Sequence, residues 1–149
     1  MAVTLGAICY GIEETLSAAP GIQSSTAYDE ITEGIPAMDC PRIQVYPDSG
    51  TCDRRGDTDR TTFNSGVQQA EVIYLVDLYA RVRSQLAEDM KATVDMIDAI
   101  IDVLQEQEKP PFFDVAGIKS FKWSWKRASL LYAEQRYMGA RFTLRIRIF

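Results

Sequence analysis

The side chains of this chain best suited to nucleophilic or metal-binding chemistry are three cysteines, Cys9, Cys40 and Cys52. Histidine is absent from all 149 positions. Without histidine the chain lacks the commonest general base, proton shuttle and metal ligand of enzymes. The cysteines have neither C-x-x-C nor zinc-ligand spacing, and their odd number fits free thiols in a reducing compartment, with Cys9 as a small core residue. No Gly-rich phosphate-binding sequence is present either. We therefore expect no enzyme, no catalytic residue and no cofactor.

Two short motifs occur in the charged stretch Asp48–Gly66. The Arg-Gly-Asp tripeptide at 55–57 matches a cell-adhesion signal, but a three-residue match is expected by chance. The carboxylates Asp53, Asp57 and Asp59 lack the D-x-D-x-D-G spacing and the closing glutamate of a calcium loop. The sequence therefore predicts no metal site here.

The same stretch has almost no apolar residue except Phe63. A loop of this length in a compact domain is usually functional or disordered. One interpretation is an arm that becomes ordered on a neighbouring subunit, and the other is a mobile loop without a partner. In the first case the contacts would come from Arg54, Arg55, Arg60 and Phe63.

The composition, 46% hydrophobic and 25% charged, suits one domain over residues 1–149 with a real core. No apolar run approaches the roughly 20 residues that span a bilayer, and the N-terminus lacks the basic region of a secretory signal. We expect a soluble intracellular product without a membrane partner.

The net charge of −5 hides an uneven distribution. Residues Ser84–Glu108 include seven acidic residues and one lysine, a net of −6. Residues Gly117–Phe149 include eight basic residues and only Glu134, a net of +7. Both regions could be solvated faces of a monomer. Alternatively, the protomer is electrostatically two-sided, which suits head-to-tail association of identical copies.

Two helices are predicted from apolar residues at steps of three or four. The first is Ala2–Ala18, with Thr4 as its N-cap and Pro20 beyond its end. The second is Gln85–Gln107, which ends before Pro110. Its apolar stripe comprises Leu86, Met90, Val94, Ile97, Ile100, Ile101 and Leu104. Its opposite side carries Glu88, Asp95, Asp102 and Glu106.

Four strands are predicted from period-two alternation. A short one, Arg42–Tyr46, is flanked by prolines that confine it to limited pairing or to a sheet edge. The longest pattern is Val67–Arg83. Two more strands, Ile118–Lys126 and Ala140–Phe149, are separated by a connecting segment at Ala128–Gly139.

Adjacent strands without a crossover helix favour antiparallel pairing. The sequence therefore predicts an α+β domain, with a mainly antiparallel sheet of about four strands and two helices on one face. If the helices cover the faces of Val72, Phe121 and Phe142, the opposite face is basic. That face would carry Arg81, Lys122, Lys126, Arg141, Arg145 and Arg147.

Three uses of the basic face remain open. It could meet the acidic helix of an adjacent copy and close a ring, with affinity from Ile73, Leu75 and Tyr79. It could contact nucleic acid, with Tyr79 as a stacking group. It could also be a solvated surface in which Asp77 pairs with an arginine across strands. The ring interpretation predicts interface residues Arg54, Arg55, Arg60, Phe63, Ile73, Leu75, Tyr79, Arg81, Glu88, Asp95, Asp102, Arg141, Arg145 and Arg147.

The order of these elements resembles the tail terminator or tail completion proteins of long-tailed bacteriophages. The resemblance is one of architecture and size, covers nearly the whole chain and involves no short motif. It is carried by the helix Ala2–Ala18, the strand Arg42–Tyr46 with the loop Asp48–Gly66, the strand Val67–Arg83, the helix Gln85–Gln107, and the paired strands Ile118–Lys126 and Ala140–Phe149.

The resemblance implies a structural virion protein without catalysis that forms a ring, expected to be a hexamer. Such rings cap the tail tube and join it to the head connector, so the implied partners are further copies, the tail tube protein and a connector or neck protein. DNA could pass through the lumen. The implied location is the tail or neck of the virion, after assembly in the host cytoplasm. Phage neck and head-completion proteins of similar size are the alternative.

Overall fold

The computed structural model describes residues 4–31, 40–53, 69–82, 86–132 and 135–148. These residues form two helices and a five-stranded sheet, so the α+β class is confirmed. The elements are α1 (Leu5–Ser17), β1 (Ser24–Thr26), β2 (Arg42–Asp53), β3 (Gln69–Val82), α2 (Leu86–Gln105), a 3₁₀ turn at Phe112–Asp114, β4 (Ile118–Tyr132) and β5 (Gln135–Ile148).

The strand order is β1-β2-β3-β5-β4, with β1 parallel to β2 and every other pair antiparallel. The sheet is thus mixed, and the expected count of about four strands was one too low. The missed strand, β1, has only three residues, all polar and hydroxyl-bearing. This segment is a strand because it pairs with β2. Such pairing is a contact between separate segments, and local alternation of apolar residues does not predict it.

Strand β2 is much longer than predicted, and it is not at an edge. It runs to Asp53 and lies between β1 and β3, so residues 48–53 of the predicted loop are strand. The register shifts between Pro47 and Ser49, where the extra residue of a bulge accommodates a proline that cannot donate to the ladder. Residues 54–68 lie outside the described part of the chain.

Strands β4 and β5 form one long hairpin, so the predicted connection over 128–139 was wrong. Outer-face residues Leu130 and Tyr137 pack on Tyr79 in a second small apolar cluster, which stabilises this end of the hairpin. Gly139 lies within β5, where a Cβ would stand 1.8 Å from the Leu78 carbonyl oxygen. This glycine permits a close backbone approach and does not end the strand.

Helix α1 begins at Leu5, later than the predicted start at Ala2, and Thr4 is its N-cap as expected, with its hydroxyl accepting from the Ala7 amide at 3.1 Å. Ile8, Ile12 and Leu16 of its apolar stripe are fully buried against the sheet, whereas Leu5 in the first turn is exposed. Cys9 is the core residue that was expected, and its Sγ donates to the Val45 carbonyl at 3.1 Å. Burial raises the pKa of this thiol to about 11, so it stays protonated at neutral pH.

Helix α2 is turned relative to its predicted stripe. Val94, assigned to the apolar side, is 44% exposed, whereas Asp89 and Thr93 are fully buried. These polar groups can be buried because Arg81 Nε lies 3.3 Å from Asp89 Oδ1, and the Thr93 hydroxyl donates to the Asp89 carbonyl at 2.7 Å. The buried side of the rest of the helix comprises Met96, Ile97, Ile100 and Leu104.

Both helices pack on one face of the sheet, and no helix of the described residues covers the other face, called the outer face here. Neither helix of the described residues is long and apolar enough to cross a membrane.

Candidate subunit interface

The outer face is built from rungs of directly opposed residues, which share a side in antiparallel strands. One rung runs Gln44, Asp77, Arg141 and Lys126 across β2, β3, β5 and β4. In another rung, further along the strands, Arg145 of β5 is opposite Ile73 of β3 on one side and Lys122 of β4 on the other. Alternation alone predicted this placement of the β4 and β5 cations.

At the centre of the face, Tyr46 and Arg141 form a hydrogen-bonded network around the buried carboxylate of Asp77. Arg141 donates from Nε to Asp77 Oδ1 at 2.7 Å and from Nη2 to Oδ2 at 3.2 Å, and the Tyr46 hydroxyl donates to Oδ2 at 2.7 Å. Asp77 is only 3% exposed. The hydrogen bond that Arg141 donates to Asp77 raises the pKa of Arg141, while burial, followed by the hydrogen bond to Asp77, raises the pKa of Tyr46. The charge of Arg141 is therefore balanced within the protomer.

A second carboxylate, Glu71, lies between two arginines. Its oxygens are 3.5 Å from Arg145 Nη1 and 3.6 Å from Arg147 Nε. Both arginines are more than half exposed, so these pairs contribute about 0–1 kcal/mol each. Together with Ser120 and Lys122, these side chains line a cleft of about 270 Å³. Three cations around one carboxylate leave this cleft positively charged.

Arg81 does not belong to the basic face. A register shift between Tyr79 and Arg81 brings Arg81 opposite Met138, whereas Tyr79 is opposite Gly139. Because a bulge reverses the alternation, Arg81 lies on the helix side, where its guanidinium pairs with Asp89 and approaches Glu88 at 3.8 Å. Its predicted position on the basic face was wrong.

Tyr79 is on the outer face but is 4% exposed. Its ring packs edge-on against Tyr137, with centroids 5.3 Å apart and planes at 87°. The aromatic ring of Tyr79 is therefore packed in the protomer's second apolar cluster. It would have to leave that cluster to stack on a nucleic-acid base. Ile73 and Leu75, the other predicted apolar contacts, are partly buried.

A cavity of about 910 Å³ opens on this face, next to the Asp77–Arg141 network. We call it the outer groove. Its polar wall includes Gln44, Asp77, Arg141 and Lys126, and its apolar end includes Ala128 and Leu130. Gln44 is 2% exposed, and its amide Nε2 has no hydrogen-bond partner among the described residues. A buried donor without a partner costs about 1–3 kcal/mol, which an incoming acceptor would recover.

The acidic surface lies on the opposite side of the sheet, on α2. Asp95 is exposed and has Lys91 Nζ at 3.3 Å, four residues earlier on the helix. Asp98, Asp102 and Glu106 are also exposed, as is Val94 beside them. The helix layer is thus acidic and the outer face basic. The structure does not bring Glu88, Asp95 and Asp102 together with Arg145 and Arg147 in one protomer.

Four predicted interface residues, Arg54, Arg55, Arg60 and Phe63, lie outside the described residues. The outer groove was missed as a site, although Gln44 and Tyr46 alternate onto one face of the predicted β2 and could have been read as part of it. Within the described ranges, no group of three or more cysteine or carboxylate side chains is arranged to hold a metal ion.

No protein-family model matches this chain, and no curated protein matches it either. The functional proposal therefore depends on the charges and contacts described above.

Proposed function

We propose that this protein is a structural virion protein whose copies form a ring that terminates a phage tail tube and joins it to the head connector. The observation that carries the proposal is the opposition of an acidic helix layer and a basic outer face on the two sides of one sheet. The α+β architecture and the resemblance of the element order to tail terminators support the same assignment.

The positions of the charges favour head-to-tail contacts over a symmetric dimer. A two-fold contact would place the outer face against a second outer face, or one α2 against another, and would bring like charges together. A head-to-tail contact pairs opposite charges at every interface. Such contacts close into a ring when the rotation between neighbours divides a full turn.

The ring's partners would be further copies of the chain, the tail tube protein and a connector or neck protein. The hexameric number and the location in the tail or neck follow from the resemblance, as does assembly in the host cytoplasm. Another phage neck or head-completion protein would use the same opposed surfaces with a different partner at one rim. DNA in the lumen would contact the ring as a whole.

Negative-stain images of tail tubes with and without the protein test this function. We expect a ring at one end of each tube and a single tube length when the protein is present. Tubes that stay uncapped at saturating protein, with lengths unchanged, would contradict the proposal. Separate incubation with connector particles distinguishes a tail terminator, which needs the tube, from a neck protein that binds the connector alone.

A further inference from the structure

We propose that the outer groove is the socket for α2 of the neighbouring copy, with the α2 ridge Val94, Asp98, Asp102 and Glu106 as the inserted element. This assignment deepens the proposed function and depends on it, because it names the site through which copies associate. Its basis is the set of charges that form no ion pair among the described residues, together with their spacing.

The unpaired cations of the outer face are on β4. Among the ion pairs of the described residues, Arg141 is held by Asp77, while Arg145 and Arg147 share Glu71. Lys122 and Lys126 are exposed and take part in none of these pairs. Both are on the same side of β4, since residues 122 and 126 are separated by an even number of positions. They are therefore available to a partner.

The unpaired carboxylates of α2 form a single row. Asp95 is paired with Lys91, and Glu88 approaches Arg81. In contrast, Asp98, Asp102 and Glu106 are exposed and belong to no ion pair of the described residues. Steps of four place them with Val94 along one ridge of the helix. The Glu106 amide still donates to the Asp102 carbonyl at 3.2 Å, so the ridge reaches Glu106.

The spacings of the two rows agree. Along α2, Asp98 is about 6 Å from Val94 and Glu106 is about 12 Å further on, at 1.5 Å per residue. Along β4, Lys126 is about 7 Å from Ala128 and Lys122 is about 13 Å beyond it, at 3.3 Å per residue. Val94 then meets the apolar end of the groove at Ala128 and Leu130, Asp98 meets Lys126, and Glu106 meets Lys122.

The width of the groove also fits a helix. Gln44 and Lys126 stand at the two ends of one rung, three strand spacings or about 14 Å apart. A helix with its side chains is about 10–12 Å across. The partnerless amide of Gln44 would face the side of the inserted helix away from Lys126, where a carboxylate of the acidic surface can accept from it.

Reciprocal charge reversal tests the socket. Lys126→Glu and Asp98→Lys, each alone, would place like charges in every interface, and we expect each to raise the protein concentration needed for assembly at least about tenfold. An equimolar mixture restores opposite charges at every interface if the two chains alternate. The expected result is a ring from the mixture under conditions where neither variant forms one alone. Lys109→Glu, which changes the net charge by the same amount and sign as Lys126→Glu but lies outside the socket, is the matched control for that variant and should assemble like the wild type.

The outcomes separate this assignment from the proposed function. Circular dichroism of each variant verifies its fold, so loss of assembly cannot be attributed to unfolding. If the wild type forms rings and both charge reversals leave assembly unchanged, the socket assignment is wrong. It is also wrong if the mixture does not assemble where the single variants do not. In both cases the proposal that the protein forms a ring is unaffected. If the wild type neither self-associates nor caps tubes, the proposed function itself fails.

Discussion

Arg141 and Asp77 form a two-pronged ion pair, Nε to Oδ1 at 2.7 Å and Nη2 to Oδ2 at 3.2 Å, between directly opposed positions of β5 and β3. Tyr46 joins the pair from β2, so three strands are tied in one register. The pair also removes Arg141 from the free charge of the outer face. Arg141, which the sequence placed among the interface residues, is thus bound to a carboxylate of its own protomer.

Replacing Asp77 should destabilise the protein. In Asp77→Ala the Arg141 guanidinium loses its counter-charge, but it is 45% exposed and can regain water. We expect a loss of about 2–3 kcal/mol in the free energy of unfolding, measured by urea denaturation. The double variant with Arg141→Ala should lose less than the sum of the single variants, because they share one interaction. Strict additivity would show that the pair is not coupled.

Gly139→Ala should be strongly destabilising. The added Cβ would lie 1.8 Å from the Leu78 carbonyl oxygen, so β3 and β5 must separate at their bulge. A loss of about 3 kcal/mol or more is expected in urea unfolding. Gly50→Ala in β2 is the control, since its Cβ would come no nearer than 3.1 Å to the Glu71 carbonyl oxygen and should cost less. Equal effects would contradict this account of Gly139.

The Cys9 thiol should be unreactive in the folded protein. It is fully buried, and its pKa is raised to about 11, so little thiolate forms at pH 8. Native wild type and Cys9→Ser should therefore show the same number of reactive thiols with a disulfide reagent. In denaturant the wild type should show one more. A wild-type excess in the native state would place Cys9 outside the core.

The same pKa shift gives a stability change with a definite sign. Between about pH 9 and 11 the folded protein keeps the Cys9 proton that the unfolded chain releases, so the free energy of unfolding should fall as pH rises. Cys9→Ala removes this contribution. Above pH 9 the free energy of unfolding of the wild type should therefore fall relative to that of Cys9→Ala. A difference that stays constant to pH 11 would contradict the shift.

Duplex binding by the isolated protomer should be weak. Asp77 and Glu71 balance part of the arginine charge, and Tyr79 is packed against Tyr137 rather than open to a base. We expect no micromolar affinity in fluorescence anisotropy at 50 mM salt. Micromolar binding that weakens steeply at 200 mM would favour the nucleic-acid interpretation of the outer face.

The local sequence pattern was sufficient to predict the strands with strong alternation and the N-cap of the first helix. The Thr4 cap, the alternation of β3 and β5 and the cations of β4 could all be read from the sequence. Apolar alternation sets which side of a strand is buried, and capping chemistry sets where a helix begins. From these features the fold class and the positions of most surface charges could be predicted.

The errors occurred where contacts between distant segments override local pattern. Pro47 appeared to end β2, but a bulge accommodates it. A second bulge moves Arg81 to the helix side, where its pairing allows Asp89 to be buried and turns α2 so that Val94 is exposed. Such register shifts depend on how strands meet, and no single segment encodes them. The outer groove was missed for the same reason, since its walls come from four strands.

The central claim is that copies associate through opposite charges, and sedimentation velocity over a concentration series at two salt concentrations tests it most directly. We predict a discrete closed oligomer at 50 mM salt, and a dissociation midpoint that moves to higher protein concentration at 500 mM because salt screens the interface. A monomer at every concentration in low salt, or an oligomer that is strengthened by added salt, would contradict the claim.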